Sequence, residues 1–118
     1  MKDLIVIGAG GYGREVIQWA MDCNKKTPQW NILGFLDNNT KALDGVSSAY
    51  PILGADADWV PSKNQVFAVA VADPEVKRRI VEKFSGRGAA FATIIHPTAF
   101  VAEGAAVGYG TIIYPQAC

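Results

Sequence analysis

The chain has 118 residues, 50% of them hydrophobic, which suits one globular domain and excludes a full cofactor-binding domain joined to a full substrate domain. Eleven basic residues balance eleven acidic ones, so no net field gathers nucleic acid, anionic lipid or polyanionic substrates, and any anion site has to be built locally.

Met1 to Ile7 begins the chain with an apolar run that is cut by glycines and followed by Arg14 and Glu15. That pattern is a strand rather than a secretion signal. Leu4-Ile5-Val6-Ile7 does not alternate, as expected of a strand covered on both faces in a parallel sheet. Gly8-Ala9-Gly10-Gly11-Tyr12-Gly13 follows, and then Val16, Ile17, Ala20 and Met21 recur at helical spacing. Trp30 to Leu36 reads as a second strand, closed by the turn-forming Asp37-Asn38-Asn39. Residues 40–65, punctuated by Asp44-Gly45, Pro51, Gly54 and Pro61, are expected to be mainly loop with short pieces of structure.

Val66 to Val71 is a third apolar strand, and Asp73-Pro74 supplies a capping side chain and a proline suited to a first helical position. Val76, Ile80, Val81 and Phe84 give the next helix its apolar stripe; Glu75 with Arg79 and Arg78 with Glu82 are expected to pair on its wet side, and Gly86 to end it. Phe91 to Ile95 reads as a fourth strand ending at His96-Pro97.

From Val101 the period changes. Val101, Val107 and Ile113 stand six apart, the positions four after each are Ala105, Thr111 and Ala117, and Gly104, Gly108 and Gly110 suit corners. Short strands turning a corner every sixth residue fit this register, as in a β-helix; a glycine-rich β-hairpin is the bland alternative. A solenoid coil is covered only by its neighbours, so a single turn ending at Cys118 implies the front part of a longer protein.

Gly8-Ala9-Gly10-Gly11-Tyr12-Gly13-Arg14-Glu15-Val16, Gly34-Phe35-Leu36-Asp37-Asn38 and His96-Pro97-Thr98-Ala99 leading into hexads resemble the bacterial sialic acid O-acetyltransferase and UDP-amino-sugar N-acetyltransferase family over the whole chain. The resemblance implies an α/β fold: a small Rossmann-like parallel sheet with flanking helices over residues 1–95, which binds the nucleotide sugar, then the first coil of a left-handed β-helix over 96–118. It also implies a homotrimer and an acetyl-CoA site between adjacent β-helices. The family's catalytic histidine lies beyond this chain, so the fragment is expected to bind a UDP- or CMP-sugar without turnover and to supply no catalytic residue and no metal ligand.

Gly8, Gly10 and Gly13 form G-x-G-x-x-G between strand and helix, where backbone approaches phosphate and the helix presents free N–H groups. Gly11, Tyr12 and Arg14 complete that candidate surface; the bland reading is a tight turn without a ligand. A helix terminus contributes about 0.3–1 kcal/mol to an exposed anion, whereas micromolar binding needs about 8 kcal/mol, so base, ribose and sugar contacts must add the rest. Asp37 stands at the carboxyl end of its strand, where ligands of open α/β sheets gather, and is a candidate for a ribose hydroxyl or uracil N–H, with Asn38 alongside. A plain turn is the alternative for both. Asp73 is a weaker substrate candidate because helix capping explains it.

His96, the only histidine, reads as a junction residue: Pro97 holds the chain extended there and no carboxylate stands close in sequence. Trp19, Trp30 and Trp59 read as core or interface residues. Cys23 and Cys118 match no metal or disulfide spacing and are expected to be free thiols in a cytoplasmic protein. No apolar stretch approaches the roughly 20 residues that cross a bilayer, so no membrane and no nucleic acid partner is expected. Two other readings compete: an NAD-binding oxidoreductase or redox-sensing module, and a regulatory domain with a vestigial pocket.

Overall fold

Leu4, Ile5, Val6 and Ile7 are all at most 1% exposed, because the strand they form is covered on both faces. The computed structural model describes residues 1–97 together with 112–113. In chain order it contains β1 (Lys2–Ile7), α1 (Gly11–Lys26), β2 (Trp30–Leu36), β3 (Ile52–Gly54), a 3-10 turn (Asp56–Asp58), β4 (Gln65–Val69), α2 (Pro74–Gly86), β5 (Ala90–Phe91), β6 (Ile94–Ile95) and β7 (Ile112–Ile113). The first five strands form one parallel sheet in the order β3-β2-β1-β4-β5. Strand order reverses between β1 and β4, and the carboxyl ends at that reversal are where an open α/β sheet leaves a crevice.

Each central strand divides its side chains between two cores. Leu4, Val6, Phe35, Ala68 and Ala70 pack with Val16, Ile17, Ala20 and Cys23 of α1 on one face. Ile5, Ile7, Leu36, Phe67 and Val69 pack with Phe84 on the other, where Ile80 and Val81 of α2 close over them. Phe67 and Phe84 meet edge to face at 5.1 Å between ring centroids. This is the sandwich that the unbroken aliphatic runs require, since a strand buried on one face only would alternate. Trp19 and Trp30 pack against the first core and Trp59 against the second.

Asp73 caps α2 as its position suggests: its Oδ1 accepts from the N–H groups of Glu75 and Val76, with Pro74 in the first helical position. Residues 40–65 are mainly loop with short pieces of structure, as expected: the 3-10 turn and β3, which extends the sheet beside β2. Three local expectations are corrected. Glu75 turns to Arg78, one residue closer than Arg79, so Arg78 is shared between Glu75 and Glu82. The helix includes Gly86, and the left-handed residue is Gly88, at φ +83°. Finally, Phe91 to Ile95 is not one strand. Ala90–Phe91 completes the sheet, Ala92 N–H still donates to the Phe67 carbonyl, and the chain then leaves the sheet so that β6 pairs with β7 instead.

That second pairing is parallel, with Ile94 opposite Ile112 and Ile95 opposite Ile113. The interval is 18 residues. Of the hexad positions, Ile113 lies in β7, while Val101, Val107, Ala105, Thr111, Ala117 and the corner glycines Gly104, Gly108 and Gly110 lie outside the described residues, as does Cys118.

A cleft at the strand-order reversal

The turn from β1 to α1 is held so tightly that two of its glycines are obligatory for packing. Gly8 has φ +106°, and a Cβ built on it would stand 2.7 Å from the Ala70 carbonyl oxygen at the end of β4. A Cβ on Gly13 would collide with the carbonyl of Gly8, so the first turn of α1 sits directly on the strand end. Gly10 differs. It is the N-cap, with extended backbone, and a Cβ there would meet nothing within 4 Å. No side chain caps α1, so its leading N–H groups are not satisfied by a capping residue.

Asp37 reaches this turn from β2. Its Oδ2 accepts from the Ala9 N–H at 2.9 Å and its Oδ1 from the Asn39 N–H at 2.8 Å, while its own N–H donates to the Gly54 carbonyl. A carboxylate offers about four lone-pair directions, so both oxygens retain accepting capacity beside these bonds. Asn38 is turned elsewhere: its Oδ1 accepts from the Ala57 N–H in the 3-10 turn at 3.0 Å. Arg87 grips the same turn, donating to the carbonyls of Asp56, Ala57 and Trp59 while its guanidinium lies 5.2 Å from the Phe84 ring centroid. Arg14 folds back along the glycine turn, its Nε 3.4 Å from the Gly10 carbonyl.

Beside the glycine turn, between the starts of α1 and α2, lies an open cleft of about 370 Å³ lined by Tyr12, Val71, Ala72, Pro74 and Lys77. The structure brings Gly8, Gly10, Gly11, Gly13, Arg14 and Asp37 together at the β1–α1 turn, and of the sequence candidates Tyr12 alone lines the cleft beside it. It leaves Asn38 and Asp73 serving the backbone of their own neighbourhoods. Sequence reasoning missed Lys77, whose signal is its place in the first full turn of α2, one turn beyond Pro74. Chemically, the arrangement offers backbone N–H groups free of capping side chains, two cations and an aromatic edge, which together suit a phosphorylated ligand.

At the other end of α1 the chain forms a separate polar cluster. His96, 8% exposed, donates from Nε2 to Asp22 Oδ2 at 2.8 Å. That hydrogen bond holds the Asp22 carboxyl below the ordinary aspartate range against the opposing effect of burial. Burial pushes the Cys23 thiol up, so the thiol keeps its proton and donates to the Ile95 carbonyl at 3.1 Å. The partner of His96 is thus 74 positions away in sequence.

The sequence profile of the PglD N-terminal domain matches residues 3–84. The chain is 28% identical over 115 residues to the UDP-N-acetylbacillosamine N-acetyltransferase of Bacillus subtilis strain 168, covering 96% of this chain and 51% of that protein. In structure it is similar to the acetyltransferase domain of PglB from Neisseria gonorrhoeae FA1090 in complex with acetyl coenzyme A, with a TM-score of 0.80 and 28% identity over 97% of this chain and 53% of that one. PerB from Caulobacter crescentus, solved in complex with CoA and GDP-perosamine, shares the fold at a TM-score of 0.79 and 20% identity, over 98% of this chain and 52% of that one. The chain spans about half the length of these relatives.

Proposed function

We propose, since the chain belongs to the PglD N-terminal domain family, that it binds the sugar nucleotide for an acetyltransferase that moves acetyl from acetyl-CoA to the amino group of a nucleotide-linked sugar. The observation that carries this reading is the side-chain-free face at Gly10, open for a ligand beside the crevice at the strand-order reversal. The relatives support the chemistry: two carry the acetyltransferase activity in their names, one of them on a UDP-linked amino sugar, and a third was solved with a GDP-linked amino sugar. Their names favour an amino sugar over a sialic acid and nitrogen over oxygen as the acetyl acceptor.

In this reading the diphosphate faces Gly8, Gly10, Gly11 and Gly13, with Arg14 and Lys77 supplying positive charge and Tyr12 an aromatic edge. Asp37 accepts from the ribose or base with the lone pairs that Ala9 and Asn39 leave. Residues 1–95 form the binding unit, and 96–118 begin a left-handed β-helix that carries acetyl-CoA and assembles as a trimer. The 18-residue interval between β6 and β7 supports that assignment, because it equals three hexads. We assign no described residue to acetyl-CoA and no catalytic role to any residue of this chain. Among the described residues no helix is long and apolar enough to cross a membrane.

The departure of the chain from the sheet after β5 favours this reading over an NAD-dependent one, since a dinucleotide fold would continue into a second βαβ half. Isothermal titration tests it. UDP-GlcNAc or a UDP-linked 4-amino sugar is expected to bind saturably and to lose binding in Gly10→Val. Saturable NADH binding in place of any nucleotide-sugar signal overturns the proposal.

A further inference from the structure

The half of α1 remote from the glycine turn carries a cluster that the proposed function does not use. Asp22 and Cys23 are consecutive on the helix, and they bond consecutive residues of the segment that has just left the sheet, Cys23 to the Ile95 carbonyl and Asp22 to the His96 ring. Gln18 donates to the other oxygen of Asp22 at 3.0 Å, so the carboxylate is steadied from within the helix. Ile94 is fully buried in the α1-facing core, yet β6 is paired with β7 and not with the five-stranded sheet. A cavity of about 250 Å³, lined by residues that include Cys23, Lys26, His96 and Pro97, borders the contact. A segment held to its neighbour by side chains, with no backbone ladder to the main sheet, has an opening mode separate from global unfolding.

We propose that Asp22 with His96 and Cys23 with Ile95 form a two-point latch, which fixes the β6–β7 pair against the far end of α1 and opens without unfolding the sheet. The latch sets the direction in which the chain beyond Pro97 leaves the cleft-bearing domain. Asp22 and His96 act in it as positioning residues and touch no ligand in the proposed function.

Cys23 reports the state of the latch, because its thiol is 3% exposed when the latch is closed. Native-state alkylation of the whole chain, followed by peptide mass spectrometry that separates Cys23 from Cys118, is the measurement. Asp22→Ala and His96→Ala are each expected to raise the labelling rate of Cys23 by about tenfold, the scale of one lost charge-assisted bond, with the urea midpoint of the sheet little changed. His96→Gln, whose amide can still donate to Asp22, is expected to return the rate toward that of the parent chain. Labelling that stays at the parent rate in both alanine variants overturns the latch. So does labelling that rises only in step with a falling urea midpoint, or an alanine variant that fails to fold, since either would place the contact within the global core. No nucleotide enters the assay, so its failure leaves the proposed function untouched.

Discussion

Asp37 accepts a hydrogen bond from the Ala9 N–H at 2.9 Å, although the two residues stand 28 positions apart in the chain. The acid at the end of β2 thereby fixes the shape of the glycine turn at the end of β1. One carboxylate has two duties in the proposed site: it holds the empty turn and it offers its remaining lone pairs to a ligand.

Asp37→Ala is therefore expected to lower the stability of the free chain as well as its affinity. The Ala9 N–H is fully buried with its residue, and orphaning such a donor costs about 1–3 kcal/mol. Urea unfolding without nucleotide measures the first effect and titration with a UDP-sugar the second. An unchanged urea midpoint would show that the turn holds its shape without the acid.

The glycines separate packing from binding. Gly10→Val places its side chain in open space with a permitted backbone, so stability is expected to fall by less than about 1 kcal/mol while nucleotide-sugar binding is lost. Gly13→Ala drives a methyl group into the Gly8 carbonyl and is expected to cost about 1–3 kcal/mol or more. Thermal melts of the two variants side by side, with titration of the first, check both outcomes.

The contrast shows what the sequence makes legible. β1, β2 and β4 are readable because burial on both faces removes the polar alternation that would blur them, and α2 because Asp73 and Pro74 mark its start. β3 was hidden because Ile52-Leu53-Gly54 is too short for any period, and it is held by the edge of β2 rather than by its own pattern. The break between β5 and β6 was hidden for a related reason: Ala92 and Thr93 continue the apolar and β-branched run, and only the pairing partner changes. In the site, the glycine turn and Asp37 are legible from spacing. Lys77 is marked only by its place in the first turn of α2, and Asp22 meets His96 through tertiary folding alone, which no local window contains.

Asp73→Ala tests whether that residue does more than cap. Loss of an N-cap costs about 0.5–2 kcal/mol, and this is the expected drop in urea stability, with nucleotide-sugar affinity changed little. A large loss of affinity at unchanged stability would return Asp73 to the ligand site.

Acid should act through Asp22. Its folded carboxyl titrates below the ordinary aspartate range because His96 donates to it, so its stabilising contribution is complete above the unfolded value of about 3.9 and is lost as the pH falls through the lower folded one. Protection of Cys23 against a pyridyl disulfide that reacts in acid, taken relative to the unfolded chain, is expected to fall more steeply in the parent chain than in Asp22→Asn as the pH drops below about 4. Parallel curves would show that the pair does not hold the latch.

Helix α1 runs for 16 residues, about 24 Å at 1.5 Å per residue, with the crevice at its head and the Asp22–His96 bond near its tail. A rigid rod pivoting about its middle by about 5° carries its ends about 1 Å in opposite directions. Were α1 to tilt in this way, a shift of the glycine turn at its head would be matched by an opposite shift of the Asp22–His96 contact near its tail.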